Sequence, residues 1–266
     1  MTPSARTACA SRALLAACAV AAACANVRHA TSRNKFGIGV YSNSGGVPGA
    51  NVSTQLPWAR NLVGENGTVV LYVGMHFGRN GDASSCADGC APSAADAAAI
   101  AQAWSLGLRP VVRLGQWPRT IRDFADDATV TPRRAFTALA RAYRTFAAAL
   151  PLPPDGVTPL DVVVLNEPNG CHEWQCSAPP ARLRANESAP EVGVCLRDIL
   201  AALRSLPRLR LSAAPTAYTA PASCSCDGQP DPAPDFRVPT DLAFMRGMLS
   251  AAPDLYAHAD FFNSHP

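Results

Sequence analysis

Glu167 is the residue best placed to do chemistry. It follows the run Asp161-Val162-Val163-Val164-Leu165-Asn166 and is followed by Pro168 and Asn169. The apolar run is too short for an independent helix, and prolines flank it at Pro159 and Pro168. It therefore reads as a strand buried on both faces, stopped by a proline whose preceding residue favours extended geometry. An acid at the carboxyl end of a buried parallel strand stands where barrel enzymes place their catalytic groups, and it can give and take a proton. A plain reading of the same residue is a strand-end glutamate in a surface ion pair; the strand, the amide before it and the proline after it together favour catalysis.

Five further side chains fall on strands, at their ends or just after them. Asn166 precedes the acid. Arg113 projects from an expected third strand, to pair with a carboxylate or to pack in the interior, and a buried guanidinium needs a partner. Trp117 follows that strand, as packing or as a platform for a sugar ring. His265 ends an expected sixth strand, and His76, after the second, is a weaker candidate.

The elements that would position them alternate along the chain. Strands are expected at 36–40, 68–73, 110–114, 161–165, 209–216 and 260–264. Helices are expected near 55–62, from an N-cap at Ser93 to Gly107, from Thr131-Pro132 to Leu150, over 192–203, and after a cap at Thr240. Ile100, Ala101 and Trp104 would mark the buried face of the second helix. Cys- and Pro-rich loops would run from Asn169 to about Pro190 and between Pro221 and Pro239. Six alternations at this spacing describe an α/β protein with a parallel sheet. No glycine fingerprint of a dinucleotide fold follows the first strand. That absence and the acid ending strand four favour a (β/α)8 TIM barrel over an open doubly wound sheet. A barrel has eight strands, so the sequence reads as one truncated after about six.

The tetrapeptide Asn166-Glu167-Pro168-Asn169 resembles the Asn-Glu-Pro signature ending strand four in the retaining glycoside hydrolase clan with a (β/α)8 barrel, the cellulase-like superfamily. The run is also similar to the heparanase-like branch. The resemblance implies that Glu167 is the general acid/base and that Asn166 holds a sugar hydroxyl. It likens Asn-Ser-His-Pro266 to the His-x-Tyr endings that steady the nucleophile or the sugar. Retaining hydrolysis needs a second carboxyl about 5–5.5 Å away. The resemblance places that nucleophile after strand seven, beyond the last of the 266 residues, so these residues alone are expected to be inactive. The implied substrate is a glycoside, oligosaccharide or polysaccharide, with no cofactor. Two other readings stay open: a carbohydrate-binding protein without catalysis, and an unrelated secreted α/β protein.

Composition narrows the setting. Residues 1–25 have Arg6 and Arg12, an apolar Ala13–Ala22 stretch and Ala23-Cys24-Ala25, the pattern of a secretory signal, leaving residues 26–266 as the catalytic domain. An alanine-rich helix or a transit peptide is the alternative. With those two arginines removed from 23 basic residues against 20 acidic, the mature chain is near neutral, and no basic block suggests nucleic acid. No other stretch is long enough to span a membrane. Seven of the 10 cysteines lie beyond the signal: Cys86, Cys90, Cys171, Cys176, Cys195, Cys224 and Cys226. Disulfides in an oxidising compartment are a better account of them than zinc, and the odd number leaves one thiol over. Sequons at Asn51, Asn66 and Asn186 agree with secretion.

Overall fold

The computed structural model describes residues 37–41, 51–75, 91–116, 132–166, 168, 185–213 and 241–261. Five strands, β1 (Gly37–Tyr41), β2 (Thr68–Met75), β3 (Arg109–Gln116), β4 (Leu160–Val164) and β5 (Leu209–Ala213), alternate with helices α1 (Val52–Val63), α2 (Ala94–Ser105), α3 (Pro132–Ala148) and α4 (Ala185–Leu203). Helix α5 (Asp241–Ala251) and a 3-10 turn (Leu255–His258) follow β5.

The sheet is parallel throughout, in the order β1-β2-β3-β4-β5. This order never reverses. Right-handed crossovers between successive neighbours carry every connecting helix to the same face of the sheet. A doubly wound sheet would need a reversal, and the described strands have none.

The two faces differ accordingly. Val69, Leu71, Val73, Met75, Val112, Leu114, Leu160, Val162, Val164 and Leu211 are buried in one apolar cluster with the helices. Helix α3 adds Phe136, Leu139, Tyr143 and Phe146, and α4 adds Val192, Cys195, Leu196, Ile199, Leu200 and Leu203, at the spacing that the sequence shows. Each fully buried leucine or phenylalanine of this layer contributes about 1.5–3 kcal/mol. The opposite face carries Tyr72, Arg109, Arg113, Asp161, Arg210 and Ser212. Val163 is fully buried there, yet it stands outside the apolar cluster.

Local chemistry explains the boundaries, including those that differ from expectation. Helix α1 starts at Val52 because the Asn51 side chain accepts from the Ser53 amide at 3.0 Å. It continues through Pro57, whose missing N–H would have served the Ser53 carbonyl four residues back. The Gln102 amide of α2 serves that carbonyl instead, at 3.1 Å. Ser93 caps α2 by accepting from the Asp96 amide at 3.1 Å, and Asp96 accepts from its hydroxyl at 2.8 Å. Ala101 is exposed, however, and Asp96, Ala99, Ile100 and Ala103 form the buried face. Gly107, at φ 69°, ends the turn that follows. Helix α4 begins at Ala185, with Pro190 inside it, earlier than the sequence suggests. Gly193 lets α4 approach α5 closely: a Cβ there would lie 2.8 Å from the Met248 Cα.

No strand is formed at residues 260–261, where the sixth was expected to begin. Asp260 and Phe261 are bends, and their amides donate to the Leu211 carbonyl at 2.7 and 3.3 Å. The Asp260 carboxylate accepts from the Leu211 amide at 2.9 Å. Residues 260 and 261 therefore lie against the edge of β5 at Leu211. Residues 262–264 are outside the described residues.

Candidate active site at the carboxyl end of strand four

The sequence reading carried β4 through Leu165. Instead the strand ends at Val164, and Leu165 takes a left-handed backbone with φ 67°. A bulky residue rarely adopts that conformation, because its Cβ crowds the following carbonyl. The consequence is an exchange of faces. Strict alternation would put Leu165 with Val163 on the polar face and Asn166 among the helices. Leu165 is instead buried in the apolar cluster, and its amide still donates to the Leu114 carbonyl at 3.0 Å. Asn166 reaches the polar face, where its side-chain oxygen accepts from Arg113 Nη1 at 2.5 Å.

Arg113 sits mid-sheet, in register with Tyr72 on one side and Val163 on the other. Among its partners is the amide oxygen of Asn166. Donation by the guanidinium fixes the oxygen end of that amide and leaves its NH2 group to face a different acceptor. This pair joins two residues 53 positions apart and stands immediately before Glu167.

Tyr72 and Gly115 meet in a way the sequence does not reveal. Gly115 lies two residues beyond Arg113, opposite Gly74. A Cβ on Gly115 would overlap the Tyr72 hydroxyl and Cζ. The Tyr72 ring therefore crosses from β2 onto β3 and leans toward the carboxyl end of the sheet. Alternation in Leu71-Tyr72-Val73-Gly74 was visible as a signal, but the register between strands was not.

At the other end of the same face one carboxylate lies between two arginines. Asp161 lies 3.7 Å from Arg109 and 3.2 Å from Arg210, and the Phe261 ring centre is 5.4 Å from the Arg210 guanidinium carbon. Below it, a cleft of about 430 Å³ is lined by Asn66, Trp104, Arg109, Asp155 and Thr158, among others. It opens at the amino ends of the strands, away from Arg113 and Asn166. Asp155 is already committed there: hydrogen bonds from the Thr158 hydroxyl and from the Thr158 and Val157 amides, with the Arg208 charge, hold its carboxyl below the usual range despite a small opposing desolvation.

Of the sequence-derived site residues, Arg113 and Asn166 are brought together. Glu167, Trp117, His265 and His76 lie outside the described residues, as do residues 1–25, Thr131, Thr240 and the cysteines 86, 90, 171, 176, 224 and 226. Cys195 is a buried free thiol on α4. Burial, and then the charges of Asp198 and Glu191, push it well above the ordinary thiol range. Among the described residues no group of His, Cys, Asp and Glu could hold a metal ion, and no helix is long and apolar enough to cross a membrane.

Set against known proteins, the chain matches no family model, and no curated protein sequence is recognisably similar to it. Its chemistry is therefore argued from its own residues.

Proposed function

We propose that the chain belongs to a secreted retaining glycoside hydrolase built on a (β/α)8 barrel. In this reading Glu167 is the general acid/base and Asn166 holds a hydroxyl of the sugar. The observation that carries it is the Arg113–Asn166 contact at the carboxyl end of β4, on the face that the helices leave uncovered. Strand order without reversal is what a barrel requires, and the uncovered polar face would be the barrel interior. The resemblance at Asn166-Glu167-Pro168 supplies the reaction class. The signal-like pattern of residues 1–25, the sequons and the cysteines support secretion.

The chemistry follows from the positions. Glu167 protonates the glycosidic oxygen as the bond to the anomeric carbon breaks. A second carboxylate, which the resemblance assigns to the end of a seventh strand, forms the bond to that carbon from the opposite face. Glu167, now ionised, takes a proton from water, which displaces the carboxylate and restores the acid. The Asn166 amide, oriented by Arg113, donates to a ring hydroxyl. Such contacts strengthen in the transition state, so Arg113 acts through Asn166 as a positioning residue.

The test is a series of 4-nitrophenyl glycosides and their monodeoxy analogues, hydrolysed by the full secreted product and by Asn166→Ala. Asn166→Ala should lower kcat/KM on the intact sugars, and the loss should vanish on the analogue lacking the hydroxyl that Asn166 holds. Equal losses on every analogue, or no hydrolysis of any glycoside by the parent protein, would contradict the reading.

A further inference from the structure

We infer that Asn66 is an N-glycosylation site, and that its first sugar is seated in the cleft at the amino ends of the strands, against Trp104. The inference rests on the secretion in the reading above and is independent of the hydrolysis.

The sequence supplies the acceptor, Asn66-Gly67-Thr68. The fold then places it. Asn66 is exposed in the turn between α1 and β2, with a left-handed backbone at φ 58°, which asparagine adopts more readily than most residues. Two backbone hydrogen bonds fix this turn to the one between α2 and β3. The Asn66 amide donates to the Gly107 carbonyl, and the Arg109 amide donates to the Gly67 carbonyl, both at 2.9 Å. The Gly107 amide donates in turn to the Trp104 carbonyl at 3.0 Å. Asn66 and Trp104 are thus tied together through one residue, and both line the cleft of about 430 Å³. That cleft brings the half-buried Trp104, Pro153 and Pro154 together with the polar side chains of Asp155 and Thr158.

The modification forms one bond and breaks one. Asn66 Nδ2 attacks the anomeric carbon of a lipid-pyrophosphate-linked oligosaccharide under a transferase of the secretory lumen. The bond from that carbon to the pyrophosphate oxygen breaks, the lipid pyrophosphate leaves with the electron pair, and Nδ2 gives up one proton. The fold contributes what happens to the product. A sugar hung from a turn already held by hydrogen bonds loses little freedom when it settles on a neighbouring surface. Its C–H groups can cover the Trp104 ring and the two prolines, while its hydroxyls face the polar side chains of the cleft.

The experiment expresses the full secreted product, with residues 1–25, in a eukaryotic secretory host. Enzymatic release of N-glycans in heavy-oxygen water marks each occupied asparagine as labelled aspartate, read by peptide mass spectrometry. Asn66 should be labelled, and Thr68→Val should abolish the label. That variant removes the sequon hydroxyl and keeps a β-branched residue at the start of β2, whereas a change at Asn66 would also disturb the left-handed turn. Thr68→Val should lower the melting temperature by roughly 2–4 °C, the shift expected of one stacking contact in a protein of this size. Trimming the parent's glycan to its first sugar should leave the melt unchanged. In a Trp104→Leu background the Thr68→Val shift should vanish; if that variant does not fold, the trimming result decides. A chain in the medium with unlabelled Asn66 overturns the inference while secretion stands. A labelled Asn66 with an unchanged Thr68→Val melt, an equal shift on trimming, or an equal shift without Trp104 overturns the seating in the cleft. A chain kept in the cytosol with residues 1–25 attached overturns secretion and the inference together.

Discussion

The left-handed backbone at Leu165 is what turns Asn166 onto the polar face, and it makes a prediction whose sign is unusual. In an extended strand, replacing alanine by glycine costs about 0.5–1 kcal/mol through backbone entropy. At φ 67° an L-residue instead carries about 1–2 kcal/mol of steric strain that glycine does not. Both Leu165→Ala and Leu165→Gly lose a side chain only 1% exposed, at a shared cost of about 2–5 kcal/mol. Subtracting the entropy from the strain leaves Leu165→Gly more stable than Leu165→Ala by about 0.5–1 kcal/mol. At Val164, one residue earlier and within β4, the order should invert by a similar amount. Urea unfolding followed by circular dichroism resolves this, since slopes of about 1–3 kcal/mol per molar convert such differences into midpoint shifts of a few tenths molar. Alanine equal to or better than glycine at both positions would refute the backbone reversal and the reason Asn166 meets Arg113.

Three further outcomes are expected. Gly193→Ala should destabilise by about 1–3 kcal/mol although alanine favours helices, because the obstructing atoms are the Met248 backbone and cannot rotate away; an unchanged or raised melting temperature would contradict the close α4–α5 packing. Cys195 should resist alkylation in the native protein at pH 8 and react fully in urea, read by mass spectrometry; rapid native labelling would show that α4 does not bury it. Desolvation raises the Asp260 pKa, but the hydrogen bonds from Arg204 and the Leu211 amide, and the charges of Arg204 and Arg210, outweigh it, so the folded value is lowered. Stability from this group is present above the unfolded carboxylate range, near pH 4, and is lost as the pH falls through the folded value. Asp260→Asn should therefore flatten the acid limb of a pH–melting profile, and an unaltered limb would rule the contribution out.

Much of the fold was legible because its signals are local. The apolar spacing from Phe136 to Leu150 and from Val192 to Leu203 named the buried faces of α3 and α4, and Ser93 and Gly107 bounded the turn around α2. Start points were harder where a proline intervened. Pro57 and Pro190 suggest boundaries, yet both helices run through them, and at Pro57 the orphaned carbonyl is satisfied by Gln102, a contact across 49 positions. Site residues followed the same division. Asn166 and Arg113 could be singled out by type and place, but their pairing depends on register and on an αL residue that a leucine does not advertise. The course of the Tyr72 ring was hidden because it depends on the absence of a side chain at Gly115 on the neighbouring strand. Strand order, which separates a barrel-like sheet from a doubly wound one, is likewise a long-range property.

The central claim is that Glu167 is the proton donor. It is tested most directly by comparing the full secreted product with Glu167→Gln on aryl glycosides whose leaving phenols span a wide range of acidity. A general acid contributes roughly 10²–10⁴-fold where the leaving group needs protonation. The account predicts near-complete loss of kcat/KM for poor leaving groups, with much smaller loss for activated ones. Equal, small losses across the whole series would contradict it.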